Sequence, residues 1–225
     1  MQKNITHSII LARGGSKGIK NKNLILLKNK PLIYWSIFRS LNSKKIDYTW
    51  VSSDSNKILK VAKKFGARVI KRPKIYAGDN SSSESAWAHA IRFIEQKKIK
   101  IDIIVGIQPT SPIRDQKDFD KAIKTFKTKK LDSLFSANMT NDTNFWIFKN
   151  KKLIANYNYK KRKMRQQSNK KFLENGSFYI FNKKNFFKHH CRLFGKIGFY
   201  LTKKINSFQI DDLEDLKLIQ TLIKK

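Results

Sequence analysis

Apolar positions recur along the chain in two alternating rhythms. His7 to Ala12 (HSIILA) is a short, nearly unbroken apolar run, the pattern of a strand covered on both faces. After a polar, glycine-containing loop from Arg13 to Asn23, Pro31 opens PLIYWSIFRSL. There Leu32, Trp35, Ile37, Phe38 and Leu41 share one helical face, and the proline suits a first turn. Asp47 to Ser53 reads as a second strand. Asp54 is placed to cap the next helix, in which Ile58, Val61, Ala62 and Phe65 share a face and Gly66 marks the stop. Arg68 to Lys71 is a third strand. Ser81 to Glu95 predicts a helix with Trp87, Ala90, Ile91 and Ile94 inward, and Ile101 to Ile107 a fourth strand. Phe119, Ile123 and Phe126 mark a further helix beyond the turn Gln108 to Asp115. This alternation predicts an α/β fold with a mostly parallel sheet.

The rhythm breaks after a strand at Asp132 to Ala137. Residues 138–174 show little clean periodicity and contain YKKRKMRQQSNKK, with seven basic residues in thirteen. Regularity resumes with strands at Ser177 to Phe181 and Lys196 to Leu201. Leu213, Leu216, Ile219, Leu222 and Ile223 define a terminal amphipathic helix. The expected organisation is one core, residues 1–137 and 175–225, with residues 138–174 inserted as an arm. Trp35, Trp50, Trp87 and Trp146 are read as core residues.

Composition narrows the class. The 225 residues permit a sizeable single core, and only 13 are Pro or Gly, which excludes collagen-like and low-complexity chains. Cys191 is the single cysteine, so there is no disulfide framework, and no second cluster completes a metal site around His189-His190-Cys191. The run Ile9 to Ala12 is too short for a signal peptide or a membrane span, and a cytoplasmic location is the expectation. The 49 Lys+Arg against 16 Asp+Glu give a formal charge of +33. Only nine of the basic residues are Arg, and Lys is spread over the whole chain. Such a balance fits solvated surfaces as well as an anionic partner.

The chemistry gathers where strands hand over to loops, the ligand-binding end of open α/β sheets. The first such loop, RGGSKGIKNKN, combines Gly14, Gly15 and Gly18 with Arg13, Lys17, Lys20 and Lys22. Its spacing matches neither G-x4-G-K-[ST] nor G-x-G-x-x-G. A solvated basic turn and an anion-binding loop are both readings of it, and a triphosphate suits so many donors at a strand end.

The stretch IILARGGSKGIKNKNL resembles the N-terminal signature of the CMP-acylneuraminate synthetases, the cytidylyltransferases that activate sialic and related nonulosonic acids. KRPKIYAGDNSSS (71–83), IQPTSPIR (107–114) and ENGSFYI (174–180) follow in the family's order, with a weaker match at IDDLEDL (210–216), so the resemblance covers essentially the whole chain. It implies a Rossmann-like, three-layer sugar-nucleotidyltransferase fold with a small dimerisation arm. The implied reaction joins CTP to a 2-keto acid sugar, giving a CMP-sugar and pyrophosphate with Mg²⁺ as cofactor.

Carried over by position, the resemblance makes Arg13 and Lys17 the catalytic, phosphate-contacting cations. Gly14, Gly15, Ser16, Lys22, Asn23, Arg72 and Ser83 become nucleotide-binding residues, and Gln108, Arg165, Asn175 and Tyr179 sugar-binding ones. Of Phe178 and Tyr179, one is expected on the sugar and the other inward. The implied partners are CTP, an acidic nine-carbon or related sugar, and a second copy of the chain in a homodimer with shared active sites. Where the family commonly has Asp-x-Asp for its metal, this chain has Gln209-Ile210-Asp211. Asp211 therefore keeps a carboxylate and Gln209 offers at most a neutral oxygen. Asp212 is read as the cap of the final helix. The rival readings are a KDO-type cytidylyltransferase, a non-catalytic homologue, and a basic protein that tracks nucleic-acid phosphates with its arm.

Overall fold

Strand β1 (Thr6–Leu11) is buried along nearly its whole length, and the reason is visible in its alternation. Ile10 packs with Val51, Val105 and Ile107 on one face of the sheet, Ile9 with Trp50 and Ile104 on the other. In this computed structural model, residues 4–16, 18–115, 117–140, 144–162, 164 and 170–223 are described. Their order is β1, β2 (Leu26–Leu27), β3 (Lys30–Pro31), α1 (Leu32–Leu41), β4 (Tyr48–Ser53), α2 (Asn56–Lys64), β5 (Arg68–Lys71) and α3 (Ser83–Gln96). There follow β6 (Ile103–Ile107), α4 (Asp118–Thr128), β7 (Ser133–Thr140), β8 (Trp146–Lys149) and β9 (Lys152–Ala155). Last come β10 (Lys171–Asn182), α5 (Lys183–His189), β11 (Ile197–Leu201) and α6 (Leu213–Leu222).

The main sheet runs β11-β7-β10-β6-β1-β4-β5. Every neighbouring pair is parallel except the two made by β10, which opposes both β6 and β7. Helices α1, α2 and α4 cover one face, while α3 and α5 cover the other with Trp87, Ile91 and Phe186. This is the expected three-layer α/β fold with a mostly parallel sheet. A smaller cluster, Ile19, Leu27, Leu32, Ile210, Ile219 and Ile223, packs α6 onto the loop after β1. It draws the C-terminal segment against that loop. No helix among the described residues is long and apolar enough to cross a membrane.

Four local readings change. The cap of α2 is Ser55, whose hydroxyl accepts from the Ile58 amide, and Asp54 turns elsewhere. Trp146 is 48% exposed, because it lies on the β8–β9 hairpin, which pairs with no strand of the main sheet. Residues 138–140 and 171–174, expected in the arm, extend β7 and β10, which pair through Lys171 opposite Thr140. Helix α5 stands where the apolar pattern predicts no element. Asp212 caps α6 as expected, in a reciprocal capping box with Asp215.

Candidate functional site

A cleft of about 560 Å³ opens at the carboxyl ends of β1, β5 and β6. It is lined by the loop after β1 (Arg13, Ser16, Gly18, Lys22, Asn23), by Arg72 beyond β5, by the segment leading into α3 up to Ser83, by the turn after β6 starting at Gln108, and by Gln209 and Asp211. Residues separated by almost the whole chain thus share one cavity.

The loop after β1 is shaped by hydrogen bonds to itself and to its neighbours. Asn23, nearly buried, donates from Nδ2 to the Arg13 carbonyl at 3.0 Å and folds the loop back on its own start. Asp54 Oδ1 accepts the Gly14 amide at 2.8 Å, so that N–H is occupied inside the protein. The carboxylate expected to cap a helix instead fastens the glycine loop to the end of β4. At Gly18 the need for glycine is steric: a Cβ would lie 2.2 Å from the Asp211 carbonyl oxygen. Lys22 reaches the same segment, with Nζ at 2.9 Å from both the Ile210 carbonyl and Asp211 Oδ1. Arg13 crosses the cleft mouth to Asp79, Nη1 to Oδ1 at 2.8 Å, an exposed pair of small energetic weight.

Arg72 stands apart. It is 4% exposed, and its Nε and Nη2 find no hydrogen-bond partner among the described residues. Burial pushes its guanidinium pKa down, Asp54 opposes that shift and Arg13 adds to it. Asn23 Oδ1 is likewise buried and without a partner there. An unsatisfied buried polar atom is costly, so two such residues beside one cavity point to a ligand that completes them.

Behind the opposite wall, the Asn175 side chain has its hydrogen bonds met. Asn175, 2% exposed, accepts from the Ser136 hydroxyl at 2.6 Å and the Ser177 amide at 3.1 Å, and donates to Thr202 Oγ1 at 2.9 Å. Its backbone carbonyl accepts from Gln209 Nε2 at 2.8 Å. Gly176 between them has φ +66°, and a Cβ there would stand 3.0 Å from Gln209 Nε2 and 3.4 Å from Gln108 Oε1. Glycine thus lets the two glutamines face each other across the β10 bulge.

The sequence-derived residues therefore separate. The structure brings together Arg13, Ser16, Lys22, Asn23, Arg72, Ser83, Gln108, Gln209 and Asp211 around the cleft. Gly14 and Gly15 belong to the loop but do not line the cavity. Asn175 and Tyr179 do not line it either. The Asn175 side chain is consumed by internal bonds, and Tyr179, 4% exposed, packs on Trp87 and donates its hydroxyl to Glu174. Burial and the Glu174 carboxylate push the Tyr179 phenol pKa well up. Phe178 is also fully buried, so both members of the Phe178–Tyr179 pair turn inward. Lys17 and Arg165 lie outside the described residues.

Sequence reasoning missed Tyr76 and Asp79 on the cleft rim, although both stand in the quoted block KRPKIYAGDNSSS. It also missed Asp54 as the anchor of Gly14. No local signal distinguishes that role from a helix cap, since the two differ only in which amide the carboxylate meets.

Comparison with known proteins adds four findings. A family model described as cytidylyltransferase matches residues 7–225. Post-translational flagellin modification protein B of Campylobacter coli is 31% identical over 96% of this chain and 94% of its own length. N-acylneuraminate cytidylyltransferase A of Danio rerio is 36% identical over 91% of this chain, which spans about half of that protein (47%). Among solved structures, a CMP:2-keto-3-deoxy-manno-octonic acid synthetase complexed with CTP superposes with a TM-score of 0.72 at 14% identity, covering 97% of this chain and 98% of that one. That likeness is one of fold.

Proposed function

The chain belongs to the cytidylyltransferase family, and from that premise we propose that it activates an acylneuraminate-type 2-keto acid sugar with CTP, releasing pyrophosphate and a CMP-sugar. The observation that carries this reading is the buried Arg72 guanidinium, whose Nε and Nη2 have no partner among the described residues, in the same cleft as Asn23 and the basic loop after β1. A nucleotide supplies the acceptors and donors these groups lack. The acid sugar follows the four motif blocks and the named substrate class of the Danio rerio relative.

In this reading the sugar's anomeric oxygen attacks the α-phosphorus of CTP. The new P–O bond forms as the α–β phosphoanhydride breaks, and the hydroxyl proton leaves to solvent. No protein nucleophile is required; the residues orient the reactants and neutralise charge on the leaving pyrophosphate. Arg13, Lys17 and Lys22 serve the triphosphate, Gly14, Gly15 and Ser16 shape its loop, and Asn23, Arg72 and Ser83 serve the nucleoside. Gln108 faces the acid sugar. Asn175 holds that wall in place, and Tyr179 supports it from the core side.

Mg²⁺ is the proposed cofactor. Asp211 brings one exposed carboxylate, and Gln209, whose amide nitrogen is engaged by the Asn175 carbonyl, offers only a neutral oxygen. Mg²⁺ is often held by one or two carboxylates together with substrate phosphates, so this donor set fits with Asp211 as its charged member. When bound, the ion supplies positive charge to the phosphate oxygens.

The arm, residues 138–174, is proposed to pair with that of a second copy in a homodimer with shared sites, Arg165 serving the sugar or phosphates. Trp146, Ile147, Phe148, Leu153 and Ile154 on the hairpin are all exposed, an apolar surface that a partner would cover. The proposed location is the cytoplasm.

The test is pyrophosphate release from CTP with a panel of N-acetylneuraminate, legionaminate, pseudaminate and KDO. Release with one of the first three, exceeding that with KDO, is expected. Release with KDO alone, or with no acid sugar, would overturn the reading.

A further inference from the structure

Arg114, the last residue of the IQPTSPIR block, is 3% exposed and does not line the cleft. A guanidinium is seldom buried unless its hydrogen bonds are met, and here they are met in one place. Nε donates to Ser177 Oγ at 2.9 Å, Nη1 to Ser36 Oγ at 2.9 Å, and Nη2 to the carbonyls of Gln108 at 2.6 Å and Ser177 at 2.9 Å. The Gln108 amide in turn donates to the Ser177 carbonyl at 3.2 Å. Both backbone polar groups of Gln108 are therefore fixed, one by Arg114 and one by the carbonyl Arg114 also holds. Two residues on, the Thr110 carbonyl accepts the Ile210 amide at 2.9 Å, which ties the same turn to the segment carrying Gln209 and Asp211. The buried carboxylate of Asp118 supplies the favourable charge nearby, and Arg39 opposes it. Asp118 is itself fastened by the Asn206 amide at 3.0 Å and the Tyr200 hydroxyl at 3.2 Å.

We propose that Arg114 is a positioning residue of the transfer site: it sets the Gln108 wall, and through Thr110 the Gln209–Asp211 segment, from behind the cleft without touching substrate. The proposal rests on the reading of Gln108 as facing the acid sugar. Its consequence is selective. Among the described residues, Arg72 and the loop after β1 make no direct bond to Arg114, and the loop meets it only at second hand, through the Ile210–Asp211 segment that Lys22 holds, so the nucleotide side should be less sensitive to it than the Gln108 wall.

The experiment compares Arg114→Lys with the parent by amide hydrogen exchange and by steady-state kinetics. Lysine keeps the charge but cannot meet Ser36, Ser177 and Gln108 at once. Exchange at Gln108 and Ile210 is expected to quicken by at least about tenfold while Ile10 and Val51 stay unchanged. The KM for the acid sugar is expected to rise about tenfold with the CTP KM within about twofold, and this rise should vanish in a Gln108→Ala background. Unchanged exchange at Gln108 and Ile210, or equal shifts in both KM values, would overturn the proposal. If Arg114→Lys does not fold, Ser36→Ala carries the same test, because Ser36 reaches Gln108 only through Arg114. If the parent activates no acid sugar, the functional reading fails while the exchange rates still decide the role of Arg114.

Discussion

The two walls of the cleft are built on opposite principles. On the side of β1 and β5, Asn23 and Arg72 bury polar atoms and leave them without partners among the described residues. On the side of β6 and β10, the side chains of Asn175 and Arg114 and the Gln209 amide nitrogen are met within the protein, while Ser111 Oγ in the turn after β6 is buried without a partner among the described residues. An unsatisfied wall carries a cost in the free protein that a ligand removes, so it serves binding. A side chain whose bonds are met, such as Asn175 or Arg114, carries no such cost and serves as framework. The sequence cues for the two were alike, a polar residue in a motif block, and only the partners separate them.

The largest expected break of this contrast is Arg72→Met. Loss of a charge-stabilising donor typically lowers kcat/KM by about a hundred- to a thousandfold, or about 3–4 kcal/mol. At the same time the free protein should gain on the order of 1–3 kcal/mol in urea unfolding, because an unsatisfied buried group is gone. A variant that is both less active and less stable would show that Arg72 is framework after all.

Asn175→Ala should do the reverse. It removes the acceptor of the buried Ser136 hydroxyl and the Ser177 amide, while the Thr202 hydroxyl keeps its bond to the Ala137 carbonyl. A loss of about 2–4 kcal/mol of stability is expected, equal with and without CTP. A loss confined to the liganded protein would move Asn175 to the binding wall.

A third prediction uses the His7 side chain, at the amino end of β1 and far along the strand from the cleft, as a saturated reference. His7 is fully buried; Nδ1 accepts from Trp50 Nε1 at 3.0 Å and Nε2 donates to the Lys100 carbonyl at 3.0 Å. Burial lowers its pKa to about 4 from 6.5. The unfolded chain therefore takes up the proton first as pH falls, and the stability contributed by neutral His7 is complete above its unfolded pKa and lost on descent toward its folded one. Relative to pH 7, the protein should be less stable at pH 5 by about 2 kcal/mol, and His7→Gln should abolish that dependence. Equal pH slopes in the two proteins would remove His7 from this role.

The smallest effect is expected where the walls meet. Gln209→Asp gives up the bond to the Asn175 carbonyl, costing about 1 kcal/mol, and adds a carboxylate that should lower the half-saturating Mg²⁺ concentration by about threefold to tenfold. An unchanged Mg²⁺ titration would mean that position 209 is not a ligand.

Much of the fold was legible because its signals are local. The unbroken run around Ile9 and Ile10, the spacing of Trp87, Ala90, Ile91 and Ile94, and the resumption at Ser177 each follow from one element's own period. Trp146 was misread because an aromatic residue reads as core until its hairpin is seen to pair with nothing in the main sheet. Asp54 was misread because capping and loop-fastening use the same carboxylate. Within the site, Arg13, Lys22, Asn23, Arg72, Gln108 and Asp211 were found from motif blocks. Arg114, in one of those same blocks, was passed over, since nothing in its sequence neighbourhood distinguishes a buried clamp from a solvated cation.

The sequence by itself determined the order and type of the main elements, the two faces of each inner strand, and the family with its candidate ligand chemistry. Those are properties of short segments, fixed by side-chain periodicity and by residue types. The tertiary structure alone decided that β10 runs against its neighbours, that Asp211 lies against Gly18, and which polar residues are spent inside and which are left open. Each of these depends on pairing across nearly the whole chain. That pairing is set by which apolar faces can be buried together, and no local pattern records it.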